Sequence, residues 1–148
     1  MQKIRARKAF EFIEYDVKRL VGYQHIAMHF VFDIKLGENF RRKARLVAYR
    51  NKTKVPSSVT YSSVVGRDSV RICLILVVLN GLDIKGADFE NAYLSAPCRE
   101  KILVEAGPEF GSDAGKPFKI VKTLYGLKSS GATFHQHLVE QLDDIGFK

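Results

Sequence analysis

Apolar positions along the chain change period several times, and each change marks an element. Near the start, Phe10, Ile13, Val17 and Leu20 fall at i, i+3, i+7 and i+10. That spacing predicts a helical lead-in over residues 1–21. Residues 26–34 are rich in β-branched and aromatic side chains, Gly37-Glu38-Asn39 reads as a turn, and a second such run occupies 44–49. Together they predict a hairpin with Arg41, Arg42, Lys43 and Arg45 at and after its tip. Residues 50–64, with Pro56 and paired serines, read as a connection. Asp68 or Ser69 can cap a helix that runs to Leu79 and is closed by Asn80-Gly81. Its β-branched interior leaves a buried strand as the alternative; length and the flanking cap and stop residues favour the helix. Strands are expected over 82–89, 101–105 and 118–122, with breaks at Gly107-Pro108 and over 111–117. The last segment reads as a helix capped by Ser129 or Ser130. Phe134, Leu138, Leu142 and Ile145 form its apolar stripe, and Gly146 ends it. This order of elements predicts an α+β fold, mainly antiparallel sheet with flanking helices.

Composition narrows the class. The 148 residues suffice for one domain with a core, and 46% hydrophobic with 27% charged residues fits a globular protein. The longest apolar run, residues 72–79, is far too short to span a bilayer, so no membrane partner is expected. Cys73 and Cys98 show no Cys-x-x-Cys spacing, which disfavours a disulfide framework and makes a reduced, intracellular setting the default. The net charge of +8 is uneven: residues 1–54 hold 14 Lys or Arg against 5 Asp or Glu, while 55–148 hold 10 against 11. A polyanion partner for the first third follows, because each cation beside a phosphate releases condensed counterions. A solubilising surface is the plainer alternative.

Four histidines are too scattered for a zinc site. His25 and His29 lie in an expected strand, and His135 and His137 point to different faces of the last helix. Asp88 is more informative. It ends an apolar-flanked segment, Lys85-Gly-Ala-Asp-Phe-Glu-Asn-Ala-Tyr-Leu94, with the aromatic Tyr93 five places on. A carboxylate at a strand end can hold a hard cation; without context it is more often a turn residue. Between residues 41 and 54 stand seven basic side chains and no acidic one. Strand alternation places Lys43 and Arg45 on one face, suited to folding over a triphosphate.

Three blocks in order supply context: Lys43-Ala-Arg-Leu-Val-Ala48, the Asp88 to Tyr93 segment, and Leu124-Tyr-Gly-Leu-Lys-Ser-Ser-Gly-Ala-Thr-Phe134. Val104-Glu-Ala-Gly-Pro-Glu-Phe110 lies between the last two. This arrangement resembles the reverse transcriptase of copia-type retrotransposons, over residues 22–147. The resemblance implies the fingers and first part of the palm of a right-hand polymerase over 22–148. It implies Mg²⁺-dependent addition of deoxynucleotides to a primer 3′ end on an RNA or DNA template. By the same resemblance Asp88 is the catalytic metal ligand and Phe89 contributes backbone to the triphosphate. Tyr93 is the steric gate beneath the incoming sugar, and Lys43 and Arg45 clamp its phosphates. Arg41, Arg42, Ser129, Ser130 and Gly131 face template and primer. The gate works by exclusion: a ring where a 2′-hydroxyl would sit penalises ribonucleotides.

Departures from the family pattern set further expectations. Phe30 and Phe134 stand where many relatives carry Trp, and Ser129, Ser130 and Gly131 where many carry Gln and Pro. No Tyr-x-Asp-Asp segment occurs in the 148 residues. Leu142-Asp-Asp-Ile145 is no substitute, because its two Asp lie on the outer face of an amphipathic helix. Asp83 points to the opposite face of the strand from Asp88. One ligand does not hold two Mg²⁺, so the chain is expected to be truncated before its second catalytic motif and inactive alone. A non-catalytic nucleic-acid-binding remnant with a basic hairpin is the alternative function. A poorly folding product, its sheet edge left open, is a third reading. Oligomeric state is not specified by the sequence.

Overall fold

The computed structural model describes residues 2–14, 20–37, 40–49 and 60–147. The fold is α+β, as the order of elements predicts. A four-stranded sheet runs β1 (Phe10–Phe12), β6 (Pro117–Ile120), β5 (Ile102–Glu105), β2 (Gln24–Ile26). The first two pairings are antiparallel and β5–β2 is parallel. A second sheet is the hairpin of β3 (Met28–Lys35) and β4 (Arg41–Ala48). Helices α1 (Gln2–Ala6), α2 (Arg67–Leu79) and α3 (Ser130–Asp144) complete the chain, with 3-10 turns at Ala92–Ser95 and Pro108–Asp113.

The core centres on β5 and β6. Ile102, Leu103 and Val104 are buried in succession, as a central strand covered on both faces requires. In β6 only alternate residues, Phe118 and Ile120, are buried. Phe118 meets Phe10 at 4.7 Å, Phe110 at 5.0 Å and Phe12 at 5.6 Å between ring centroids, in tilted and edge-on packings. Leu46 and Ala48 carry the base of the hairpin into the same core.

The N-terminal stretch is helical over Gln2–Ala6, as predicted, and departs from the predicted helix after it. Phe10 and Phe12 flank Phe118 as an edge strand, and Glu11 pairs across the ladder with Lys119 at 2.7 Å. Their i, i+2 spacing, not the i, i+3 spacing of Phe10 and Ile13, is the one the fold uses. Residues 15–19, which hold the rest of the predicted helix, lie outside the described residues. Arg5 donates to the Phe110 carbonyl and to Asp113, both at 2.9 Å. The Lys116 hydrogen bond, with Arg5 beside it, holds the Asp113 carboxyl below its ordinary range.

The hairpin lies where predicted; its turn residues 38–39 are outside the described set. Helix α2 also lies where predicted, but its cap position is Gly66, and Asp68 sits within the first turn, 3.3 Å from Arg71. Its end matches the expected stop: Gly81 takes φ +58°, and Gly81 N and Leu82 N donate back to the Val78 and Val77 carbonyls. No side chain of α2 is buried.

The expected strand over 82–89 does not form; these residues are exposed and irregular. Their Leu-Asp-Ile-Lys alternation suits a strand, but none of the described strands lies alongside to complete a ladder. Asp83 and Asp88 therefore do not occupy opposite faces of a regular strand.

In α3 the cap expectation is also revised. Ser129 occupies the N-cap position with its side chain making no cap bond. Its hydroxyl donates to Glu100 Oε1, and that of Ser130 to the Leu124 carbonyl at 2.6 Å. Buried acceptors compete successfully with the helix end. Phe134 and Leu138 are half-buried, whereas Leu142 and Ile145 are exposed, so the apolar stripe reaches the core only in its first half. Gly146 ends the helix at φ +91°.

Candidate functional site

The site is built where three separate stretches meet: β4, the 3-10 turn after Asp88, and the loop that leads into α3. Alternation along β4 buries Leu46 and Ala48 and turns Lys43, Arg45 and Val47 to the other face. Arg45 Nη1 lies 3.7 Å from Asp33 Oδ2, diagonally across the hairpin. Its guanidinium carbon sits 5.9 Å from the ring centroid of Tyr125, a cation–π placement. Arg41 and Arg42 are exposed at the distal end of the strand.

Tyr125 continues the contact inward. Its ring meets that of Tyr93 edge-on at 4.8 Å; Tyr93 meets Phe134 at 6.2 Å, and Phe134 meets Phe89 at 5.9 Å. Arg45, Tyr93 and Phe89, singled out separately in the sequence, are thus joined through Tyr125, which was not, and through Phe134, which was read there only as a residue of the helix stripe in a position where many relatives carry Trp. The turn Ala92–Ser95 begins after Asn91, which has left-handed φ +55°. It is pinned by Thr123, whose hydroxyl donates to the Tyr93 carbonyl and whose N–H donates to Ala96 at 3.0 Å. Lys122 Nζ adds a 3.2 Å bond to the Ser95 carbonyl.

Backbone contact docks the loop on the hairpin. Ala48 N donates to the Tyr125 carbonyl at 2.8 Å, and Val47 and Tyr125 form an isolated parallel bridge. Gly126 follows at φ +91°. A Cβ there would overlap the Ala48 carbonyl oxygen and lie 2.8 Å from Val47 Cγ1. Only glycine satisfies both the dihedral and the close approach. The dipeptide Tyr125-Gly126 was the signal in the sequence; its partner, 77 residues earlier, was not legible there.

Ser129 and Ser130 are buried, and Gly131 is half-buried in the first turn of α3. Beside them Glu100 Oε2 is buried without a hydrogen-bond partner among the described residues. Arg99 reaches over to α3, with Gln136 Oε1 at 2.8 Å and Glu140 Oε1 at 3.7 Å. Burial pushes the neighbouring Cys98 thiol up to about 11, against the opposing hydrogen bond to the Glu100 carbonyl and with a smaller upward push from the Glu100 carboxylate. The folded state therefore holds the thiol proton more tightly than the unfolded chain. That contribution is complete below the ordinary value of 9.0 and is lost as pH rises towards about 11. At pH 8 Cys98 is expected to alkylate about a hundredfold more slowly than an ordinary exposed thiol. Exposed Cys73 serves as the internal reference. Mass mapping after timed iodoacetamide checks this, and equal labelling of the two contradicts it.

Asp88 is exposed, on the irregular run before the turn. Lys43 is half-buried on the face it shares with Arg45. His25 and His29 fall in different strands, and the His29 ring lies on Tyr49 at 4.4 Å between centroids. Among the described residues no three His, Cys, Asp or Glu side chains gather into a metal-binding group. No helix among them is long and apolar enough to cross a membrane.

Residues 14–148 match the family described as reverse transcriptase (RNA-dependent DNA polymerase). The chain belongs to that family. Among its relatives are copia-type polyproteins. It is 32% identical to the transposon Ty1-NL2 Gag-Pol polyprotein of Saccharomyces cerevisiae over 136 residues, 87% of this chain and 8% of that one. It is 33% identical to the Pol polyprotein from transposon RE1 of Arabidopsis thaliana over 112 residues, 72% of this chain and again 8% of the relative. The chain is a copia-type reverse transcriptase sequence that spans about 8% of the length of these relatives. No solved structure matches it.

Reverse transcriptases as a family depend on a divalent metal, usually Mg²⁺. The described residues of this reverse transcriptase chain do not by themselves form such a centre. Asp88, which carries hard oxygen donors, is not part of any group of three such side chains among the described residues.

Proposed function

We propose that the face carrying Lys43, Arg45, Tyr125 and Tyr93 is the nucleotide side of the reverse transcriptase, made from its fingers and the first part of its palm. The domain would occupy residues 22–148, with strand Phe10–Phe12 of the lead-in docked on its sheet. One observation carries this reading. The contact from Arg45 through Tyr125 to Tyr93 brings the basic hairpin against the residue expected to read the sugar.

In this arrangement Lys43 and Arg45 hold the triphosphate of an incoming deoxynucleotide, and Asp33 orients the Arg45 fork. Phe89 lends its backbone to the phosphates, and Tyr93 lies beneath the sugar and excludes a 2′-hydroxyl. Arg41 and Arg42 contact the template–primer backbone. Ser129, Ser130 and Gly131 act through main-chain position, since both hydroxyls are turned inward. Asp88 would be one ligand of the Mg²⁺ centre, whose remaining carboxylates are not supplied by these residues. The partners are RNA or DNA template–primer and deoxynucleotides, in an intracellular setting.

The 148-residue chain alone is expected to extend no primer. A primer-extension assay with template, deoxynucleotides and Mg²⁺ checks this. Extension that disappears in Asp88→Ala would overturn it. The alternative of a binding remnant without catalysis rests on the basic hairpin, and it predicts the same silent assay with retained nucleic-acid binding.

A further inference from the structure

We infer that Tyr125 is a positioning residue that sets the enzyme's preference for 2′-deoxynucleoside triphosphates, by backing the sugar-facing Tyr93 from β4, the strand that carries the phosphate-binding Arg45. The inference rests on the nucleotide side proposed above and adds to it a residue that neither the motif reading nor the family match assigns.

The geometry makes Tyr125 the element between the two. Its main chain is locked to β4 by the Ala48 N–H bond at 2.8 Å and the Val47 bridge, and Gly126 seats the next residue against Ala48. Arg45 stands on the same strand, three residues before Ala48. The Tyr125 ring is therefore held at a fixed place relative to Arg45, with the guanidinium 5.9 Å from its centre. The same ring meets that of Tyr93 edge-on at 4.8 Å, with the planes at 61°. The Thr123 hydroxyl on the Tyr93 carbonyl and Phe134 at 6.2 Å restrain Tyr93 further.

A gate by steric exclusion works only if its ring cannot retreat. Without the Tyr125 ring, Tyr93 gains space on the side facing β4, and a 2′-hydroxyl can be accommodated by rotation of the gate. Loss of ordinary packing would weaken both nucleotides alike; loss of a positioned gate changes their ratio.

The test compares dCTP and CTP, which differ only at the 2′ position, in equilibrium binding to the full 148-residue chain by titration calorimetry with Mg²⁺. Wild type is expected to favour dCTP by about tenfold. Tyr125→Phe keeps the ring and should keep that ratio. Tyr125→Leu should bring it to about one. Arg45→Ala should weaken both nucleotides and leave most of the preference, because Tyr125 still backs Tyr93. If Tyr125→Leu fails to fold cooperatively, Tyr125→Gln, which keeps length without a ring, reads the same ratio. A wild-type preference that survives intact in the folded ringless variant overturns the role of Tyr125 and leaves the nucleotide side standing. Failure of wild type to bind either nucleotide overturns both.

Discussion

Replacing Gly126 with Ala is expected to destabilise the protein by about 3–6 kcal/mol. Three costs add. A side chain at φ +91° sits in a left-handed conformation, worth about 1–2 kcal/mol against any L-residue. The added Cβ also overlaps the Ala48 carbonyl oxygen, which is backbone and cannot swing aside. Relief requires β4 to move off the loop, with loss of the 2.8 Å bond from Ala48 N to Tyr125 and a shift of buried Leu46 and Ala48. Such overpacking costs a further 1–3 kcal/mol or so, and the lost bond about 1. Against a total of about 5–15 kcal/mol for a domain, that is a large fraction. Gly22→Ala is the control: its φ is +83°, yet nothing lies within 4 Å of the added carbon. Only the dihedral cost, about 1–2 kcal/mol, should appear there. Urea unfolding monitored by circular dichroism gives both values. Equal losses in the two variants would show that the hairpin does not dock on the loop as described.

Nucleic-acid binding by the chain is expected to fall steeply with salt. If Arg41, Arg42, Lys43 and Arg45 each neutralise a phosphate, the logarithm of affinity falls with the logarithm of salt with slope about −3 for a single strand and nearer −4 for a duplex. Raising salt from 50 to 200 mM then weakens binding by about 50-fold to 150-fold. Removing Arg42, which is exposed and lies on the face opposite Lys43 and Arg45, should reduce the slope by nearly one and weaken all sequences alike. Arg45→Ala should change the slope less, because Asp33 already offsets part of its charge at 3.7 Å. Fluorescence anisotropy with a labelled oligonucleotide over that salt range measures each slope. An affinity that is flat with salt contradicts a phosphate-binding hairpin.

Local pattern carried much of the fold into view. The hairpin, β5, β6, α2 and α3 are each long enough, or bounded sharply enough by Gly and Asn, for periodicity to place them. Elements that depend on distant partners were not visible. Phe10 and Phe12 become a strand because Phe118 lies about a hundred residues on, and their coincidence with a helical spacing hid the pairing. Residues 82–89 show the opposite case, a strand pattern with no adjacent strand to fulfil it. The serines before α3 look like caps from composition, and only the buried Glu100 carboxylate and Leu124 carbonyl decide otherwise. For the site, alternation placed Lys43 and Arg45 on one face correctly. The role of Tyr125 as their link to Tyr93 needed the non-local bridge to Val47, which no local spacing encodes.

In the proposed arrangement the hairpin, the Tyr93 turn and the start of α3 converge on one ligand face. Hydrogen–deuterium exchange of the 148-residue chain, with and without template–primer and dCTP, tests it most directly. Protection confined to residues 41–48, 92–95 and 123–134, with Pro108–Asp113 unchanged, is the predicted result. Protection centred on Pro108–Asp113 and the N-terminal strand, with the hairpin unaffected, would contradict it.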